Sequence, residues 1–302
     1  MSIVGALPRP PDGETIMAFK DLLLQISCYP ERSHDHVIEN AVAFAAALKA
    51  ELTALTFEYE MSVPHSPMGG MVLDVGGMVA AETQKSVANA NEALKVFNAA
   101  ALKAGVPHSQ MLERTASGLV DQAVANHARL RDLTLIPAGG PGDFQQFIAE
   151  KVIFESGRPV VMLPQPETRG PAKRPVQTLD CIAIAWDFSR PAARAIADAM
   201  PLLKQAKVVR VITVTNEKTL STNRSLSDLK RHLGLHGIEF FDDEEDAAGR
   251  TIGDTLLQYS ENFGLDLLVM GAYGHSRFRD FFLGGATTTM TANPTLPVFL
   301  SH

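Results

Sequence analysis

The 302-residue sequence has little of several features that define whole classes of protein. Its only two cysteines, Cys28 and Cys181, lie in or beside apolar segments, which excludes a disulfide framework and predicts a reducing, cytoplasmic location. No apolar run approaches the roughly 18 residues that a membrane span needs, so no membrane partner is expected. Residues 1–16, MSIVGALPRPPDGETI, lack the basic and apolar regions of a signal peptide and predict a disordered tail.

Basic residues are also fewer than acidic residues. The sequence has 27 Lys and Arg against 34 Asp and Glu, a formal net charge of −7. Because nucleic-acid binding requires a basic face to neutralise phosphates, this balance argues against a nucleic-acid partner. The hydrophobic content of 46% is ordinary for a globular protein, and 302 residues are sufficient for two domains.

Short apolar runs alternate with longer helical patterns, twice in the same order. In the first half, strands are predicted at 20–27, 51–58, 108–113, 132–137 and 159–163, and helices at 33–50, 78–104, 117–130 and 145–156. In the second half, strands are predicted at 179–186, 207–214, 238–241, 265–270 and 297–300, and helices at 191–204, 222–236, 250–263 and 285–292. This alternation is typical of a parallel sheet with helices on both faces.

The two halves end in similar segments, ESGRPVVMLP at 155–164 and NPTLPVFLS at 293–301. Between them, residues 165–178 are rich in proline and charge, which is the composition of a linker. The sequence therefore predicts an α/β protein of two tandem five-stranded parallel-sheet domains, at 17–164 and 179–302. The last strand of each domain would form a sheet edge, and exposed edges favour pairing.

The segment GAYGHSRFRDFFLGG, residues 271–285, places four glycines between an apolar strand and a helix. Glycine allows several backbone N–H groups to point at one anion, and a helix N-terminus adds a partial positive charge. The spacing matches neither the Walker A loop nor the dinucleotide fingerprint, so a plain turn is the alternative. Earlier, Asp187 and Ser189 follow the first strand of the second half, where they would either contact a nucleoside or cap the next helix.

Taken together, the D-x-S at the first strand end, DLLVMGAYGHS, the G-2x-G-9x-G spacing and LPVFL resemble the universal stress protein family over residues 17–302. The resemblance implies Rossmann-like, adenine nucleotide alpha hydrolase-like domains. In the ATP-binding branch, an acidic residue meets adenine, a valine contacts the base and the glycines hold the ribose and phosphates. The matching residues here are Asp187, Val214, Gly271, Gly274 and Gly284.

This sequence departs from the family pattern at Gly285, where ATP-binding relatives have Ser or Thr. The backbone N–H groups survive the change and the hydroxyl does not, so weak ATP binding is expected. Thr287 and Thr288 are close in sequence, but their helical positions point elsewhere.

The first half departs further. Aligning the halves by their first strands puts Cys28 opposite Asp187 and Pro30 opposite Ser189. The fourth-strand loop, PAGGPGDFQQFIAEKV, lacks the nine-residue spacing and is followed by Glu150, a carboxylate that would oppose anions. The sequence thus predicts a degenerate first site and at most one nucleotide per chain.

No metal site is predicted from the histidines or the acidic run. The histidines of SHDH, 33–36, diverge on a helix that Ser33 would cap, and His232 and His236 lack a third ligand. The run DDEED, 242–246, is interpreted as a solvated loop, with a magnesium role beside ATP as the minor alternative. The methionine- and glycine-rich stretch 61–78 looks like an insertion and predicts a surface loop.

These observations predict a stress-response protein, like universal stress proteins, that binds ATP, with or without Mg²⁺, and has no catalytic residues. The alternatives are an interaction or signalling module that binds no nucleotide, and a slow ATPase. The expected partners are an adenine nucleotide, the chain's own halves as a pseudo-dimer, and a second copy as a homodimer.

Overall fold

The computed structural model describes residues 19–60, 75–139, 143–165, 178–215, 226–273 and 285–302. The predicted tail at 1–16, most of the linker and most of the insertion lie outside these residues. So do Gly274 and Gly284 of the glycine motif.

Each half contains five strands and four helices in the described residues. The first half consists of β1 Asp21–Gln25, α1 Asp35–Leu48, β2 Glu51–Glu60, α2 Val75–Ala104, β3 His108–Ala116, a 3-10 turn at Ser117–Leu119, α3 Val120–Ala128, β4 Leu133–Pro137, α4 Phe144–Glu155 and β5 Val160–Leu163. The second half consists of β6 Cys181–Ala185, α5 Arg190–Leu203, β7 Val208–Thr215, α6 Leu226–Leu235, β8 Phe241–Asp246, α7 Ile252–Phe263, β9 Leu267–Gly271, α8 Gly285–Ala292 and β10 Val298–Ser301.

All ten strands form one sheet in the order β3-β2-β1-β4-β5-β10-β9-β6-β7-β8. Pairing is parallel within each half, and the halves meet where β5 and β10 run antiparallel, with Val161 opposite Phe299. The predicted fold class is confirmed: two five-stranded parallel α/β units in tandem. Their last strands pair within the chain, which is the pseudo-dimer arrangement expected from the sequence.

Helices cover both faces of this sheet. One apolar core lies between the sheet and α1, α2, α5 and α6, and the other lies between the sheet and α3, α4, α7 and α8. The central strands alternate between these two cores and are buried on both sides. None of the helices in the described part of the chain combines the length and the apolar character needed to cross a bilayer.

Local signals set several helix ends. The Ser189 hydroxyl accepts a hydrogen bond from the Ala192 N–H at the start of α5, and Thr251 caps α7 in the same way through Asp254. Helix α7 ends at Gly264, whose φ of 59° is left-handed and suits glycine. The predicted cap of α1 was wrong: His34 holds the N-cap position, and the Ser33 hydroxyl instead accepts from the Ser27 N–H.

An aspartate before the fourth strand fixes the register of each half. The Asp132 carboxylate accepts hydrogen bonds from the N–H groups of Lys20 and Asp21, and Asp266 does so from Asp180 and Cys181. Cys181 therefore corresponds to Asp21.

Counting along the strands from the equivalent residues Asp21 and Cys181 corrects the predicted alignment of the halves by one residue. The structural counterpart of Asp187 is Ser27 and not Cys28. The bond from the Trp186 N–H to Ile212 O repeats the one from the Ile26 N–H to Leu55 O and gives the same register.

The third strand of the second half was predicted at 238–241, and it is β8, Phe241–Asp246. The acidic run is thus an edge strand and not a loop. Its sequence does not alternate apolar and polar residues, which is the pattern that predicts a strand. An edge strand nevertheless tolerates charged side chains, because one of its sides meets solvent. Asp243 also has a partner on the neighbouring strand, since it receives two hydrogen bonds from Arg210 on β7.

Candidate functional site

The carboxyl edge of the second half brings together the described residues of the predicted nucleotide site. Strand β6 lies between β7 and β9, and Ala185 pairs with Ile212 on one side and Met270 on the other. Asp187, Val214 and Gly271 come one or two residues after these partners. Because neighbouring strands are about 4.8 Å apart, these three residues converge at one edge of the sheet.

The two faces of this edge differ. Trp186 packs against the core under α5 and α6, whereas Val214 packs against the core under α7 and α8. Ala183 and Ala185 also belong to the second core, so the alternation of β6 continues toward Asp187 on the same side as Val214. Helix α8, which begins at Gly285, covers the sheet on this face.

Asp187 begins a tight turn into α5. Its Oδ1 accepts a hydrogen bond from the Ser189 N–H at 3.0 Å, and Phe188 between them has a left-handed φ of 60°. Ser189 caps α5, with Ala192 N 3.2 Å from its hydroxyl oxygen. The choice that the sequence left open for Ser189 is thereby resolved in favour of the cap.

Gly271 has a packing reason to be glycine. A Cβ at this position would lie 2.3 Å from Ala192 N and 2.5 Å from Pro191 C, both backbone atoms of the first turn of α5. Backbone atoms cannot move aside as a flexible side chain can. Gly271 therefore allows β9 to end in contact with α5, whatever else the glycine motif does.

Gly285 is in the opposite situation: apart from its chain neighbours and the backbone of its own helix, no atom of the described residues would lie within 4 Å of an added Cβ. It is the first residue of α8, where the backbone N–H groups have no partners within the helix. The nearby Thr287 does not replace the missing hydroxyl: its Oγ1 accepts from the Tyr273 N–H at 3.3 Å and is buried. Gly285 is thus an open position that would accommodate a serine.

The turn after Gly271 is held by residues that the sequence did not single out. Ala272 N–H donates to Ser301 O at 2.8 Å, and His302 Nδ1 lies 2.9 Å from Ala272 O. A carbonyl oxygen only accepts, so Nδ1 carries the proton, and His302 Nε2 accepts from Arg190 at 3.0 Å. The final residue of the sequence thus connects β9 to the start of α5. No motif signalled this role.

The same edge of the first half is occupied by protein. Helix α2 places Asn89 Nδ2 2.9 Å from Cys28 O, and Ser86 Oγ accepts from the Tyr59 N–H. The Cys28 thiol donates to Phe57 O at 2.6 Å, and burial raises the pKa of this thiol. The residue that corresponds to Asp187 is Ser27, which has no carboxylate.

A separate groove of about 700 Å³ lies between α5 and α6. Trp186, Phe188, Ile196, Leu229 and His232 are among its lining residues, so it opens on the face away from Val214. It is not the predicted nucleotide cleft. The ring of His232 on α6 lies 5.0 Å from the ring of His236, which follows the end of α6, and the described residues contain no group of three or more side chains suited to a metal ion.

No protein-family model matches the sequence, and no curated protein does. Among solved structures, a universal stress protein from Archaeoglobus fulgidus DSM 4304 superposes with a TM-score of 0.66 and 16% identity, over 95% of this chain and 98% of that one. A functionally unknown protein from Pseudomonas aeruginosa PAO1 also superposes, with a TM-score of 0.58 and 14% identity, over 95% of this chain and 94% of that one. At these identities the likeness concerns the fold: the chain has the fold of a universal stress protein along nearly its whole length.

Proposed function

We propose that this chain is a stress-response protein of the universal stress protein type, which binds ATP in its second half without efficient turnover. The observation that carries the proposal is the convergence of Asp187, Val214 and Gly271 at one carboxyl edge, on the side of the sheet that α8 covers. Ligands of open α/β sheets bind at this edge. The fold shared with the Archaeoglobus fulgidus protein supports the assignment of the class.

Each residue has a role that its chemistry allows. The Asp187 carboxylate, a hydrogen-bond acceptor, would bind the adenine amino group or the ribose, and Val214 would provide an apolar wall for the base. The N–H groups at the start of α8, with Gly285, attract the phosphates together with the helix dipole. Gly274 and Gly284 complete the phosphate loop in this proposal. Mg²⁺ would be held chiefly by the nucleotide's own phosphates.

Binding without turnover follows from what surrounds the site. Hydrolysis requires a group that positions and deprotonates the attacking water. Among the described residues, Asp187 is the carboxylate that directly follows β6 at this edge, and one of its oxygens accepts from the Ser189 N–H. The acidic residues of β8 lie in an edge strand, separated from β6 by β7.

The test is calorimetric titration of the full chain with ATP, with and without Mg²⁺. We expect about one ATP per chain and weak affinity, and we expect Asp187→Asn to weaken ATP and adenosine binding alike, because both contain adenine and ribose. Ser27→Ala changes the corresponding residue of the first half and is the matched control, with unchanged binding. A stoichiometry near two would contradict the single site. Absence of binding by both ATP and adenosine would favour the interaction-module alternative.

A further inference from the structure

The turn that follows Gly271 in the second half contacts a helix of the first half. The Tyr273 ring lies 4.9 Å from the Phe154 ring of α4, with 40° between their planes. The Phe154 ring also lies 4.9 Å from the His302 ring, in an edge-on arrangement. One phenyl group of the first half therefore touches two residues that shape the entry to the glycine loop of the second half.

Tyr273 has a backbone conformation that its surroundings must maintain. Its φ of 57° is left-handed, which costs a residue with a Cβ about 1–2 kcal/mol. The side chain is buried, and the backbone N–H donates to Thr287 of α8. Strained residues of this kind persist where neighbouring structure holds them, and they are concentrated at ligand sites.

Helix α4 presents a second residue to Tyr273. Burial and the nearby Glu150 carboxyl raise the pKa of the Tyr273 hydroxyl, so it stays protonated. Glu150 was expected to oppose anions in the first half, but the structure places its carboxyl beside the second half. Tyr273 is thus enclosed by α8 of its own half and by α4 of the other.

The contact between Phe154 and His302 also connects helix α4 to the turn that begins at Asp187. His302 binds Ala272 through Nδ1 and Arg190 through Nε2, and Arg190 follows the turn that Asp187 begins. The two sides of the candidate site, the end of β9 and the start of α5, are therefore joined through a ring that rests on Phe154.

We propose that Phe154 of the first half is a positioning residue for the second-half nucleotide site, because it holds the turn Gly271–Tyr273 at the carboxyl edge where that site is proposed. The first half then controls the affinity of a site to which it contributes no ligand contact. This inference rests on the proposed function for its effect on ATP. The role of Phe154 in holding the turn Gly271–Tyr273 does not depend on any ligand.

Helix α4 offers a matched control for Phe154. Phe147 lies on the same helix with similar exposure, 55% against 43%, and makes no ring contact among the described residues. We expect Phe154→Ala to weaken ATP binding about threefold to tenfold, which is about 0.7–1.4 kcal/mol and is the size of an aromatic pair. Phe147→Ala should leave the affinity within about twofold, and Phe154→Tyr, which keeps the ring, should restore it.

Amide hydrogen exchange in the nucleotide-free protein gives a second readout. The amides of Ala272 and Tyr273 should exchange faster in Phe154→Ala than in Phe147→Ala or Phe154→Tyr, because the turn that protects them is loosened. Equal exchange in the two alanine variants would overturn the positioning role. Faster exchange with unchanged ATP affinity would overturn the link to the site. A wild-type protein that binds no ATP would refute the proposed function and the effect on affinity, while exchange would still decide whether Phe154 holds the turn.

Discussion

At the scale of single residues, two glycines of one motif differ in what their surroundings permit. Gly271 lies against the backbone of α5, whereas no described residue outside its own helix would contact a side chain at Gly285. The sequence pattern treats them alike, because a glycine spacing carries no information on which position is crowded. In the described structure, packing requires a glycine at position 271 and does not require one at position 285.

This difference predicts opposite effects of one substitution on stability. Gly271→Ala should lower the free energy of unfolding by about 1–3 kcal/mol, the range for overpacking, since the new methyl group would displace the first turn of α5. Gly285→Ala should leave it unchanged or raise it slightly, because alanine favours the helix. Urea unfolding of both variants measures the two effects. Equal midpoints would show that the contact between β9 and α5 is not close.

Gly285 also predicts a gain of function. In Gly285→Ser a hydroxyl at the start of α8 would add one hydrogen bond to a charged phosphate, worth roughly 1.5–3 kcal/mol. ATP should then bind about one to two decades more tightly, at about 1.4 kcal/mol per decade. Adenosine, which has no phosphates, should bind as it does to the wild type. Paired titrations of both ligands check this, and equal ATP affinity would mean that residue 285 does not contact phosphate.

At the scale of elements, the positions of most strands and helices follow from the alternation of apolar runs, and β8 does not. Its sequence, FDDEED, has no apolar period, and its place in the sheet depends on Arg210 of the neighbouring strand. The site shows the same division. Asp187 and Gly271 were predicted from local motifs. Tyr273, His302 and Phe154 come together through contacts between segments that are distant in the sequence, which no local pattern encodes.

Strand β8 is therefore expected to depend on the Arg210 contacts. The guanidinium donates to Asp243 and to the Tyr259 hydroxyl, and its carbon lies 3.8 Å from the centre of the Phe263 ring. Arg210→Met keeps the bulk but leaves the Asp243 carboxylate without its cation, so unfolding free energy should fall by about 1–3 kcal/mol.

A second ion pair beside β7 provides the control for this prediction. Lys207 pairs with Asp180 at an exposed position where solvent screens the charges, so Lys207→Met should lower the free energy of unfolding much less than Arg210→Met. Chemical denaturation of both variants makes the comparison. If the two losses were equal, the aromatic and tyrosine contacts of Arg210 would contribute nothing to β8.

At the scale of the whole molecule, the halves share a sheet and differ in the residues at their carboxyl edges. The antiparallel pairing of β5 with β10 makes one continuous sheet from two similar units. The side chains of Val298, Phe299 and Leu300 are buried at this junction. Separation of the halves would expose them together with unpaired backbone groups.

A fragment of residues 179–302 should consequently dimerise through β10 or aggregate, because an apolar sheet edge favours pairing with another chain. Size-exclusion chromatography with light scattering, at several concentrations, distinguishes these states, with the full chain run beside it for comparison. A fragment that stays monomeric and monodisperse would show that β10 does not need a partner.

The covalent link between the halves has a consequence for dilution. When two separate subunits build a site jointly, their association weakens as the concentration falls, and so does the site. A tether turns that encounter into an intramolecular one, with an effective concentration that does not depend on how much protein is present. Since Phe154 and Tyr273 belong to one chain, the contact of α4 with the turn before the glycine loop does not depend on the concentration of the protein. The cell would lose subunit exchange as a means of control and would gain a response that does not vary with protein abundance.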